Sequence, residues 1–198
     1  MKKVLLLLAD GFESYEASVF TDVFGWNLYE GDQNTELVSV GLHPVLSCTW
    51  GYSCIPMRQL AEVDLNTFDA LAIPGGFEQA NFYEDAYSEK FLSIIQHFNQ
   101  ANKPIAAICV AGLAVAKSGV LTNRFGTTYR FKNNPRQDQM REYGVLVKSE
   151  ERIVEDRNII TSSSPETALD VAFRLLEILT SEENTVEVKR RMGFTATH

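Results

Sequence analysis

Apolar positions along this chain alternate between short unbroken runs and helical stripes. Val4 to Ala9 is a continuous apolar run closed by Asp10-Gly11, the pattern of a strand buried on both faces of a parallel sheet. From Tyr15 onward Ala17, Phe20, Val23, Phe24 and Leu28 recur at helical spacing until Gly31-Asp32 stops them. Glu36 to Val40 predicts the next strand, and the polar stretch Gly41 to Met57 leaves room for one or two short hairpin strands. Ala70 to Ile73 predicts a buried strand running into Pro74-Gly75-Gly76, and Tyr87 through Phe98 an amphipathic helix ending before Pro104. Ile105 to Ile108 is then a strand that meets Cys109, with a helix opening at once from Ala111. Beyond lie a polar, irregular stretch from Arg124 to Arg141 and short strands at Val145–Val147 and Ile153–Val154. A buried strand at Ile159–Thr161 precedes a helix from a Ser164 cap with Pro165 at its first position to Leu179, and a last helix covers Glu183–Arg191.

Strands and helices in this alternation predict a three-layer α/β/α sandwich with a mostly parallel central sheet of roughly six or seven strands. No repeat or linker divides the 198 residues, so a single domain over 1–198 is expected. The 45% hydrophobic and 22% charged residues are enough for a core without disulfides or a structural metal. A net charge of -8 opposes binding to a phosphate backbone, which argues against nucleic acid as a partner. The first apolar run is too short for a membrane span or signal peptide, so the expected address is the cytoplasm, with no membrane partner.

Ligands in open α/β sheets collect at the carboxyl ends of the strands. Three such ends carry unusual residues: Glu13 and Glu16 after the first strand, Gly75-Gly76 after the third, and Cys109 after the fourth. A sulfur at a helix N-terminus is biased toward thiolate, and adjacent glycines let backbone N–H groups approach a developing oxyanion. Glu16 shares a helical side with Val19, Phe20 and Val23 and is expected to point inward. Cys48 and Cys54 are expected to behave as small hydrophobes, leaving Cys109 as the reactive cysteine and, on its sharp corner, the backbone outlier of the chain. Histidines at 43, 97 and 198 are scattered, and neither a metal site nor a bound cofactor is expected.

The segments Leu8-Ala9-Asp10-Gly11-Phe12-Glu13-Ser14-Tyr15-Glu16, Ala72-Ile73-Pro74-Gly75-Gly76, Ala106-Ala107-Ile108-Cys109-Val110-Ala111-Gly112 and Ile160-Thr161-Ser162-Ser163 together resemble the ThiJ/PfpI superfamily, and its deglycase branch more than its protease branch. The resemblance spans nearly the whole chain and implies a flavodoxin-like, glutamine amidotransferase-like fold. It implies Cys109 as the nucleophile-elbow cysteine, Glu16 as its buried acid partner and Gly75-Gly76 as the oxyanion loop. It also implies homodimerisation, for which Phe24, Trp26, Leu28 and Tyr29 on several faces of one helix are the sequence signal. The protease branch places histidine directly after the cysteine, where this chain has Val110. The deglycase branch uses a histidine near a Thr-Thr-His segment, where this chain has Thr127-Thr128-Tyr129. The general base is then Glu16, Tyr129 or a group from another subunit. Three readings follow. One is a cysteine-dependent hydrolase or glyoxalase/deglycase-like enzyme acting on small reactive carbonyl compounds or their adducts. Another is an oxidative-stress sensor that oxidises Cys109. The third is a noncatalytic small-ligand module walled by Trp26, Trp50 and Tyr129.

Overall fold

Each buried apolar run becomes a strand of one seven-stranded sheet, and each stripe becomes a helix laid over it. The computed structural model describes residues 1–131 and 135–194. The first half comprises β1 (Lys2–Leu8), α1 (Ser14–Glu30), β2 (Thr35–Gly41), β3 (Leu46–Ser47), β4 (Ser53–Cys54), β5 (Arg58–Gln59) and β6 (Ala70–Ile73). Next come α2 (Phe82–Ala86), α3 (Glu89–Gln100), β7 (Ile105–Ala107), α4 (Ala111–Lys117), β8 (Phe125–Gly126) and α5 (Arg136–Glu142). The last are β9 (Leu146–Val147), β10 (Ile153–Asp156), β11 (Ile159–Ser162), α6 (Ala168–Leu179) and α7 (Glu182–Arg191).

The sheet order is β10-β11-β7-β6-β1-β2-β5, parallel except at β10, which pairs antiparallel with β11 along one edge. Within its parallel part, the run β2-β1-β6-β7-β11 has the flavodoxin order, so the carboxyl ends of β1, β6, β7 and β11 share one rim. Helices α1, α6 and α7 pack together in one layer, and α3, α4 and α5 in the other. Val4 to Leu8, Ala70 to Ile73 and Ile105 to Ile108 are all buried between the two layers. Among the described residues no helix is long and apolar enough to cross a membrane.

Three features depart from the sequence expectations. The stretch from Arg124 to Arg141 holds β8 and most of α5, which buries only Met140 and therefore shows no apolar stripe. The short helix α2 and the edge strand β5 carry too few buried residues to show a period. Ser164 does not cap a helix with its hydroxyl: its carbonyl accepts from both the N–H and the hydroxyl of Thr167, which closes a single 3-10 turn before α6 starts at Ala168.

Candidate active site

Four strand ends meet around one sulfur. β7 passes into α4 through only three residues, Ile108 to Val110, so the direction change falls on Cys109, which takes a left-handed φ of 55°. The outlier expectation needs one correction: among the described residues five other non-glycine residues also have positive φ, but all five are exposed, whereas Cys109 is 6% exposed. Its neighbours hold the corner. The Thr128 hydroxyl donates to the Cys109 carbonyl at 3.0 Å, and the Cys109 N–H reaches Ser162 Oγ at 3.4 Å. Ile108 N–H is tied to the Ile73 carbonyl at 3.1 Å, fixing the corner to the end of β6.

The Gly75-Gly76 loop is locked between two chain segments. Glu13 N–H donates to the Gly75 carbonyl at 2.8 Å, and Phe12 bridges Gly76. Gly76 has no room for a side chain: a Cβ there would lie 2.4 Å from the Gly11 carbonyl oxygen and 2.5 Å from the Phe82 ring. Gly75 N–H donates to Glu16 Oε2 at 2.5 Å, so the expectation that both glycine N–H groups await an oxyanion is corrected: Glu16 already takes one of them.

Glu16 lies on the inner face of α1 with Phe20 and Val23, fully buried and beside the Cys109 thiol. Burial without a counter-ion pushes its carboxyl up to about 8, and the Glu13 carboxylate adds to this. The Gly75 N–H and the thiol pull the other way. The Cys109 thiol is itself held well above its usual value, first by burial and then by Glu16, although the Val110 N–H bonds the sulfur. This corrects the thiolate expectation, because α4 has only seven residues and its N-terminus is outweighed by desolvation. Cys48 and Cys54 are also pushed up by burial.

A cavity of about 190 Å³ opens over the sulfur, lined by Glu13, Gly76, Cys109, Val110 and Tyr129, and across from them by Phe77, Glu78, Gln79, Tyr83, Arg136 and Pro165. Glu16 and Gly75 stand just behind this lining. Tyr83 and Arg136 were not anticipated, since one sits in the five-residue α2 and the other in α5. Arg136 holds Glu78 at 2.7 Å across the cavity mouth and stacks 4.9 Å over the Tyr83 ring. Of the three aromatic walls expected, only Tyr129 lines this cavity. Trp50 packs against Phe77 at 5.1 Å outside it, and Trp26 lies on the outer face of α1 beside a more open hollow of about 500 Å³. No described histidine lines the cavity: His43 is engaged 2.9 Å from Asp85 and His97 belongs to α3, while His198 lies outside the described residues. Among the described residues no three of His, Cys, Asp and Glu converge as a metal site requires.

Residues 2–178 match the model of the DJ-1/PfpI family. The chain is 27% identical over 191 residues to protein dj-1beta of Drosophila melanogaster, covering 96% of this chain and 95% of that protein. The crystal structure of that fly protein superimposes with a TM-score of 0.83, at 26% identity, over 98% of this chain and 99% of the other. A glutathione-independent glyoxalase of Caenorhabditis elegans is 28% identical over 182 residues, covering 92% of this chain and 90% of its own. A deglycase of Pyrococcus abyssi is 29% identical over 127 residues, covering 64% of this chain and 72% of its own.

Proposed function

The chain belongs to the DJ-1/PfpI family, and on that premise we propose that it is a cysteine-dependent enzyme acting on small reactive carbonyl compounds, with Cys109 as nucleophile and Glu16 as its proton carrier. The single observation that carries this reading is the buried Glu16 beside the Cys109 thiol, with a cavity of about 190 Å³ above the sulfur. The glyoxalase and deglycase names of two relatives point the same way. Of the two groups, Glu16 gives up its proton first, because burial raises the thiol even further. Its carboxylate therefore accepts the S–H proton as sulfur attacks the carbonyl carbon. The S–C bond forms, the C=O pair moves onto oxygen, and the proton passes from Glu16 to that oxygen, leaving a hemithioacetal. The Val110 N–H steadies the sulfur, Gly75 steadies Glu16, and Gly76 and Tyr129 bound the space left for substrate.

Glyoxal is the simplest probe. The expected product is glycolate, in which one carbon is oxidised, its neighbour is reduced and one water is consumed, detected by proton NMR. Loss of that product in Cys109→Ala supports the reading, and equal product from both chains rejects it.

A second reading as a peroxide sensor is favoured by one observation: with its carboxyl raised to about 8, Glu16 is mostly protonated at neutral pH, only a minor fraction being the carboxylate that the first reading uses, and it can donate to the oxygens of an oxidised Cys109. Peptide mass spectrometry after dilute peroxide checks it, since gain of two oxygens confined to the Cys109 peptide is expected.

A homodimer and a cytoplasmic setting complete the proposal. Trp26, Leu28 and Tyr29 stand exposed on α1, Tyr29 by 79%, while Phe24 is buried in the core. Trp26 and Tyr29, three residues apart, form an exposed aromatic pair on one face of α1, a candidate interface. Light scattering at micromolar concentration is expected to give twice the 22.2 kDa of one chain, and the monomer mass would remove the dimer.

A further inference from the structure

Tyr83 keeps a hydroxyl with no hydrogen-bond partner among the described residues. Its ring is held by Phe82 at 5.4 Å, Tyr87 at 4.8 Å and the Arg136 guanidinium at 4.9 Å, so the ring alone accounts for the packing. Its Oη is buried. A buried orphan hydroxyl costs stability, and phenylalanine would fill the same space without that cost. Yet Tyr83 lines the cavity with Cys109, and its phenol is close enough for the thiol's charge to act on it.

Of the other polar groups around the cavity, Glu13 and Glu78 accept hydrogen bonds when ionised, and Arg136 is engaged by Glu78 and Gln139; Gln79, Tyr129 and the Gly76 N–H bring further donors to the lining, but among the lining side chains only Tyr83 holds a buried polar atom with no partner among the described residues. An oxygen that becomes negative as sulfur adds to its carbon needs a donor not already committed. We propose that Tyr83 is that donor, a further catalytic residue whose O–H bonds the carbonyl oxygen of a small aldehyde or ketone as Cys109 adds to it.

The assignment rests on the carbonyl reading above. Burial pushes the phenol further up than Arg136 pulls it down, so Tyr83 stays protonated and stabilises the oxygen without giving up its proton. The proton that finishes on the oxygen is the one that Glu16 takes from the thiol.

Tyr83→Phe tests this, because it removes one oxygen and leaves the ring. With glyoxal, kcat is expected to fall by about 10²- to 10³-fold, as for loss of an oxyanion donor. The melting temperature should stay level or rise, because an unsatisfied group has gone. Alkylation of Cys109 by iodoacetamide, which builds no oxyanion, should be unchanged. An unaltered kcat, or a fall in kcat matched by a fall in melting temperature, would overturn the assignment. A second measurement does not depend on turnover: in protein labelled with ¹³C at the tyrosine ring, the resonance missing from Tyr83→Phe should shift when glyoxal is added. A wild-type chain that makes no glycolate rejects the enzymatic reading, whereas a Tyr83 resonance that does not move rejects the donor role.

Discussion

Glu16→Gln is expected to move two activities of Cys109 in opposite directions. Glyoxal consumption falls by about 10²- to 10⁴-fold, the usual cost of losing a positioned acid–base group. Glutamine can still accept from the Gly75 N–H with its amide oxygen, so the Gly75-Gly76 loop keeps its anchor. Alkylation of Cys109 follows different logic, since iodoacetamide needs only thiolate. In the wild-type chain at about pH 9 an ionised Glu16 sits against the sulfur and suppresses the second ionisation of the coupled pair. In the variant a neutral amide replaces that charge and its NH₂ can donate to sulfur. Alkylation at about pH 9, followed by mass spectrometry of the Cys109 peptide, should therefore be faster in the variant. A parallel loss of both activities would mean that Glu16 supports the fold around the sulfur and carries no proton.

The same carboxyl should dominate the response of stability to pH. Its folded-state value of about 8 lies above the ordinary 4.5, so the folded chain binds this proton more tightly than the unfolded chain does. Folding therefore has the full benefit of the proton below the unfolded value, loses it progressively as pH rises toward about 8, and carries a constant penalty beyond. Three pH units within that window correspond to about 4 kcal/mol at 1.36 kcal/mol per unit. Glutamine does not titrate, so urea unfolding should show the variant gaining on the wild-type chain by about 4 kcal/mol between about pH 5 and about pH 8. A stability difference that does not change with pH would place the Glu16 carboxyl near its ordinary value and remove the reason for its late ionisation.

The layers of the fold were legible because β1, β6, β7 and β11 are buried on both faces and so appear as unbroken apolar runs. Cys109, Glu16 and the Gly75-Gly76 pair were legible because each directly follows such a run or faces inward on a clear helical stripe. Tyr83 gave no signal: α2 has five residues, and its neighbours Glu84 and Asp85 disguise it as polar surface. Arg136 was hidden in the same way, in a helix that buries a single methionine and meets Glu78 across 58 residues of chain. The direction of the thiol's ionisation was also out of reach, since it depends on how deeply Cys109 and Glu16 are buried together. Sequence shows which residue ends a strand, but not how much water remains around it.

The left-handed backbone at Cys109 limits which nucleophiles this lineage can exchange. A φ of 55° is tolerated by glycine and, with modest strain, by residues unbranched at Cβ. Serine differs from cysteine there only in its chalcogen, so a hydroxyl nucleophile is one substitution away at no added backbone strain. Threonine is a different matter, because its second Cβ substituent meets the backbone in a conformation that β-branched residues avoid. Between thiol and secondary alcohol the corner itself acts as a filter, and descendants of this chain can reach serine chemistry directly but threonine chemistry only by first rebuilding the junction of β7 and α4.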